Sequence, residues 1–283
     1  LDSANMTPNE WLHIAEDIEQ HYDEFDGFVI LHGTDTMAYS ASALSFMLEE
    51  LSKPVIFTGA QIPAGEIRTD AFDNLIGALL IAAHYKVPEV TVYFHHHLYR
   101  GNRTQKVDAE GFDAFASPNF PPLATVGTDI EIRRELLQHF PNRPFQVRRL
   151  TPPKIVTVDI FPGFDPAIID SLIDHGVNGI ILRTYGMGNA PVKDGRLLAS
   201  LARASRRDTV IVNCTQCYRG AVNMAGYETG KMLSDVGVLS GHDMTAEAAL
   251  TKLYYLFSAG LSVAEIRTQV GMNLRGELTP PSQ

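Results

Sequence analysis

The chain has 283 residues, 45% hydrophobic and 20% charged, with a net charge of −10 from 23 basic and 33 acidic side chains. That length holds one large domain or two ordinary ones, each with a real core. No long basic run is present, which argues against nucleic acid or an anionic membrane as a partner, and no apolar stretch is long enough to span a bilayer. The two cysteines, Cys214 and Cys217, are too few for a disulfide framework, so a reducing cytoplasm is the expected setting. The start carries no signal-peptide pattern and Leu1 is not a natural first residue, so further residues are expected upstream.

Residues 1–6 read as irregular chain. Thr7-Pro8-Asn9-Glu10 is a capping box with proline at the first helical position, and Trp11, Ile14, Ala15, Ile18 and Tyr22 follow at helical spacing. Residues 28–31 are an apolar run of strand length, after which Gly33 lets the backbone turn into Thr34, Asp35 and Thr36. Thr36 is placed to cap a helix over about 37–51, with Leu44, Met47, Leu48 and Leu51 inward. A strand over 54–58 ends in the polar turn Thr58-Gly59-Ala60-Gln61. A helix follows over 69–85, with Leu75, Leu79 and Ala82 on one face, then a strand over 89–95. This alternation predicts a mainly parallel sheet with helices on its faces.

Residues 98–107 read as exposed because they are basic and polar. Of two proline-rich stretches, 118–122 and 141–153, the second reads as a linker, because a fresh α/β pattern starts after it. That pattern is a strand over 155–160, a helix over 166–175, and a strand over 179–182 running into Arg183-Thr184-Tyr185-Gly186. A helix over 195–206, a strand over 209–213 and helices over 245–258 and 262–270 complete it. The predicted fold is α/β with two α/β domains: a larger N-terminal domain at 1–145, a linker at 146–154 and a smaller C-terminal domain at 155–283. No solenoid-period repeat is present.

In open α/β sheets ligands bind at the carboxyl edge of the strands, which is where Thr34, Asp35 and Thr36 stand, beside a helix N-terminus that favours anions. A hydroxyl becomes a useful nucleophile only if a neighbour takes its proton. A lysine can do so when burial or nearby positive charge lowers its pKa, and Lys106 lies in a loop able to converge on this edge. The competing reading is that both threonines only cap and Asp35 only complements the helix dipole. In His95-His96-His97, His95 and His97 share a strand face; two histidines without a third ligand make a poor zinc site, so the triplet reads as an exposed strand end and no metal is expected. Cys214-Thr215-Gln216-Cys217 reads as two ordinary buried thiols. Gly186-Met187-Gly188-Asn189-Ala190-Pro191 has Pro191 where a dinucleotide fingerprint needs its third glycine, leaving a binding rim rather than a nucleotide site.

Taken together, these stretches resemble the bacterial-type L-asparaginases, specifically the cytosolic type I branch, over essentially the whole chain. Val29-Ile30-Leu31-His32-Gly33-Thr34-Asp35-Thr36-Met37 matches the family's second signature, and segments 58–61, 98–103, 111–115, 185–191 and 273–278 also look like type I sequence. The resemblance implies hydrolysis of L-asparagine to L-aspartate and ammonia through a threonine acyl-enzyme, without cofactor or metal. It implies that Asp35 grips the substrate's α-ammonium while Thr34 and Lys106 move protons and position water. Asp2 and Ser3 match the segment on the α-carboxylate side, and Gln61 matches a polar turn near the site. Asn189 matches a residue that reaches a neighbouring subunit's active site, which implies a dimer or a dimer of dimers. Arg183 and Cys217 match positions of an allosteric asparagine site, and Gln105 stands there in place of a threonine. The departure is the family's first threonine, in a Thr-Gly-Gly-Thr-like motif followed by a lid tyrosine. It would lie upstream of Leu1, nothing among these residues substitutes for it, and the expectation is that the segment exists beyond them. The alternatives are a non-catalytic amino-acid sensor that kept Asp35 and the Arg183 pocket, and the amidase subunit of a transamidation complex, which would need an added tRNA-complex domain.

Overall fold

The capping box forms as read. Helix α1 (Pro8–His21) starts with the Glu10 carboxylate accepting from the Thr7 amide (2.7 Å), and it buries Trp11, Ala15 and Ile18 on one face. The computed structural model describes residues 2–151, 153–226 and 228–280, which fall into two units, Leu1–Leu150 and Thr151–Gln283.

In the first unit, β1 (Phe28–Leu31) is followed by α2 (Met37–Met47), β2 (Leu48–Glu49) and β3 (Val55–Thr58). Next come α3 (Ala71–His84), β4 (Val90–Phe94), β5 (His97–Arg100), β6 (Gln105–Lys106) and β7 (Phe115–Ala116). Strands β8 (Ala124–Val126), β9 (Ile130–Ile132) and β10 (Gln146–Val147) close it. The main sheet has the order β1-β3-β4-β5-β8-β9. The pairings β1–β3 and β3–β4 are parallel, crossed by α2 and α3; the other three are antiparallel, so the sheet is mixed rather than mainly parallel. The reversal happens at the histidine triplet. His95 and His96 both have positive φ (43° and 65°), the geometry of a two-residue hairpin turn, so the triplet is exposed at a strand end as expected, but His95 and His96 form the turn and only His97 is in a strand, the first residue of β5.

Three further expectations are corrected in this unit. Residues 98–104 are largely buried, because Arg100 pairs with buried Glu89 (Nε–Oε2 2.5 Å) and lies over Phe120 together with Arg103. A basic run that carries its own carboxylate and aromatic partners enters a core without leaving a bare charge. Helix α2 stops at Met47, because Leu48 and Glu49 pair antiparallel with Val147 and Gln146, residues expected in the linker. Helix α3 buries Asn74, Gly77, Ala78 and Ile81, while Leu79 stays 49% exposed. The small residues decide that face: a Cβ on Gly77 would lie 2.3 Å from the Tyr93 ring.

In the second unit β11 (Ile155–Asp159), β12 (Gly179–Thr184), β13 (Val210–Thr215) and β14 (Val238–Ser240) form one parallel sheet in that order. The helices are α4 (Ala167–Asp174), α5 (Arg196–Arg206), α6 (Glu228–Asp235), α7 (Ala246–Ser258) and α8 (Val263–Val270). Alternate strand residues feed two cores. Ile180, Leu182 and Ile211 face one; Ile181, Val210 and Val212 face the other. Strand β14 and helix α6 were not anticipated; Leu233 of α6 and Val238 of β14 are buried in the first of these cores. Lys252, buried in α7, contacts Glu277 (Nζ–Oε1 2.5 Å) and the Val270 carbonyl (2.9 Å), and Glu277 accepts from the Leu274 amide. This pair staples segment 270–277 to α7, and burial holds the Lys252 ammonium below its usual pKa. Among the described residues no helix is long and apolar enough to cross a membrane.

Candidate active site

The parallel pairing aligns Leu31 of β1 with Thr58 of β3, so the turns after both strands emerge side by side at the carboxyl edge. Two glycines let them approach. A Cβ on Gly59 would lie 2.2 Å from the His32 carbonyl oxygen, and one on Gly33 would lie 2.6 Å from Ser3 Oγ. Gly33 does not have positive φ, so its value here is close approach rather than turn freedom.

Thr34 is the hub of the edge. Its hydroxyl donates to Gln61 Oε1 (3.0 Å) and accepts from Lys106 Nζ (2.9 Å). Lys106 also contacts Asp35 (Nζ–Oδ1 2.6 Å). The Lys106 side chain is 20% exposed and that of Asp35 64%, so the carboxylate faces the open side. Gln61 Nε2 donates to the Gly111 carbonyl (3.0 Å), which fixes the amide so that its oxygen faces Thr34. Lys106 reaches the site from β6, the strand preceding the loop that carries Gly111. The Gly111 and Glu110 amides donate to Asp108, shaping that loop and holding the Asp108 carboxyl below the usual carboxylate range.

Thr36 does not cap α2. Its hydroxyl donates to the Ser3 carbonyl (2.8 Å), tying the N-terminal segment across Gly33. Ser3 is therefore brought to the site and buried there, whereas the Asp2 carboxylate folds back onto the Ala4 amide (3.0 Å). Beneath the turn, His32 is held neutral. Trp11 Nε1 donates to Ser40 Oγ (2.9 Å), and Ser40 Oγ lies 2.9 Å from His32 Nε2. His32 Nδ1 sits 2.6 Å from the Gly33 carbonyl, which can only accept. Nδ1 thus carries the proton, Nε2 accepts from Ser40, and burial keeps the imidazole pKa below its ordinary value.

Gln105 precedes Lys106 in β6 and pairs with Ala116. In the second unit Arg183 is the penultimate residue of β12, contacting Asp159 (Nη1–Oδ1 3.3 Å), with its Nε buried and without a partner among the described residues. Asn189 closes a tight turn, exchanging backbone hydrogen bonds with Tyr185 (2.9 and 2.8 Å). Both cysteines are free. Cys214 is buried, its thiol pushed up to about 12 by desolvation, but Cys217 is exposed where the chain leaves β13, so only one thiol is buried. Among the described residues no group of three or more His, Cys, Asp or Glu side chains could hold a metal. Roles for His32, Ser40, Asp70 and Asn74 are not legible in the sequence: none belongs to a nucleophile or metal pattern, and only the fold brings Ser40, Asp70 and Asn74 to these turns.

Comparison with known proteins gives the family. The sequence model of the family "Asparaginase, N-terminal" matches residues 1–138, and that of the "Glutaminase/Asparaginase C-terminal domain" matches residues 154–269. L-asparaginase 1 of Escherichia coli (strain K12) is 54% identical over 282 residues, 99% of this chain and 82% of that protein. An L-asparaginase of Dirofilaria immitis is 47% identical over 99% of this chain but 48% of its own length. The crystal structure of L-asparaginase I from Vibrio cholerae superposes with a TM-score of 0.93 at 49% identity, covering 99% of this chain and 84% of that one. With both domain models matched and relatives alike along the whole chain, this protein belongs to the asparaginase family.

Proposed function

We propose that this protein hydrolyses L-asparagine to L-aspartate and ammonia. The observation that carries the reading is the Thr34 hydroxyl, suspended between Lys106 Nζ and Gln61 Oε1 with Asp35 exposed beside it. A substrate ammonium arriving at Asp35 competes with Lys106 for the carboxylate, leaving Thr34 as the partner of Lys106. Thr34 and Lys106 then form a short path for protons. One is taken from the attacking hydroxyl, and one is delivered to the amide nitrogen as its bond to carbon breaks and ammonia leaves. The acyl-enzyme forms on a threonine hydroxyl of the kind the family places on its first strand, and water then releases aspartate from it, with Thr34 and Lys106 again moving the proton. Ser3 and Asp2 serve the α-carboxylate side, and Asn189 serves a neighbouring subunit's site in a dimer or dimer of dimers. We further infer activation by asparagine at Arg183 and Cys217; the Arg183 Nε–H, without a partner among the described residues, supports a carboxylate ligand there. The two free cysteines favour a cytoplasmic setting.

The test is ammonia release against L-asparagine concentration. A sigmoidal curve supports both hydrolysis and activation, and a hyperbolic one supports hydrolysis alone. Asparagine binding without ammonia release would overturn the enzyme reading in favour of an amino-acid sensor.

A further inference from the structure

Asp70 stands at the N-cap position of α3, where an aspartate ordinarily accepts from a backbone amide of its own helix. It does not. The first-turn amide of Ala71 is taken by Thr69 Oγ1 (3.0 Å), and the Asp70 carboxylate turns to the loop after β3. There Oδ1 accepts from the Gln61 amide (3.0 Å) and the Ile62 amide (3.0 Å), and Oδ2 accepts from the Gln61 amide (3.1 Å) and Asn74 Nδ2 (3.0 Å). Asn74, only 3% exposed, also donates to the Gly59 carbonyl (3.0 Å) and accepts the His95 amide on Oδ1 (3.0 Å). Both polar atoms of the Asn74 side chain, one helical turn beyond Asp70, are thus engaged: Nδ2 holds this turn and Oδ1 holds the His95 turn after β4.

The turn so clamped is the one that presents Gln61 to Thr34. We propose that Asp70, seconded by Asn74, is a positioning residue that aims the Gln61 amide at the Thr34 hydroxyl. Neither side chain touches Thr34, Asp35 or Lys106; they act through Gln61. The inference rests on the proposed asparagine hydrolysis for its link to catalysis, while the clamp itself can be read without turnover.

The experiment compares Asp70→Ala, the more conservative Asp70→Asn, Gln61→Ala and the Asp70→Ala/Gln61→Ala double variant in the full-length protein. Amide hydrogen exchange at Gln61 and Ile62 reads the clamp. It should accelerate in both Asp70 variants while exchange along α1 and the interior of α3 stays as in wild type. Steady-state ammonia release reads the link to chemistry. Misaiming at the ångström scale predicts a fall in kcat of roughly tenfold to a hundredfold with a smaller change in KM. The double variant should lose no more than the worse single variant, because both changes break one path. Unchanged exchange at Gln61 and Ile62 would overturn the clamp, and near-wild-type kcat or multiplying losses would overturn action through Gln61. If the wild-type protein releases no ammonia, hydrolysis is refuted, and the exchange data still decide for or against the clamp.

Discussion

Replacing Lys106 with methionine separates chemistry from stability. Lys106 contributes two contacts, to Thr34 and to Asp35. The Asp35 carboxylate is 64% exposed, so solvent screens the ion pair to at most about 1 kcal/mol. The hydrogen bond to Thr34 adds about 1 kcal/mol. A total near 2 kcal/mol lowers the melting temperature by roughly 4–8 °C for a chain of this size. The same ammonium is the only charged donor on the Thr34 hydroxyl among the described contacts, and loss of a positioned proton donor slows turnover by about 10²–10⁴-fold. That corresponds to about 2.7–5.5 kcal/mol in the barrier. Ammonia release at saturating asparagine, with thermal melts on the same samples, makes the comparison. A kcat within about threefold of wild type would remove Lys106 from proton transfer. A loss of activity that tracks the unfolded fraction would make it a structural lysine.

Further outcomes are expected elsewhere. Thr34→Val should abolish ammonia release while the far-ultraviolet spectrum stays native; near-normal release would exclude Thr34 from the mechanism. Arg183→Ala should flatten a sigmoidal response to asparagine, and unchanged cooperativity would refute an activating site there. His32 is shifted below its ordinary value of 6.5, so above that pH both folded and unfolded forms are neutral and the group adds nothing. As pH falls below 6.5 the unfolded chain binds a proton that the folded chain resists, and stability is lost. His32→Gln should reduce this acid-side loss, leaving a residue from His242, which burial shifts the same way; identical slopes would refute the assignment. Lys252→Met strands the Glu277 carboxylate in the core, costing about 3–5 kcal/mol. Adding Glu277→Gln should recover part of it, and a melting temperature within about 2 °C of wild type would refute the staple.

What could be read from the chain was whatever acts over short sequence distances. The box at Thr7, the strand–turn–helix at 28–37 and the four-helix, parallel pattern after residue 155 rest on local periodicity and capping, and they appear where expected. Thr34 and Asp35 were legible for the same reason, being anchored to one strand end. Lys106 was one loop candidate able to converge on this edge, and the resemblance rather than any local signal singled it out, because nothing local separates such a lysine from an ordinary surface charge. Reading failed where partners are distant. The basic run at 98–104 is buried by Glu89 and Phe120, the end of α2 is set by strand β10, and the buried face of α3 is set by Tyr93 against Gly77. The histidine triplet misled because period-two reasoning assumes a strand continues, whereas two positive-φ residues end it.

The hydrogen-bonded series from Trp11 through Ser40 to His32 has an optical consequence. Trp11 is the sole tryptophan, 7% exposed, so every photon of indole fluorescence leaves from a ring wired to the turn before Thr34. A charged imidazole quenches indole emission where a neutral one does not. The native chain therefore carries its own unlabelled fluorophore, joined through one serine hydroxyl to the histidine that precedes Gly33.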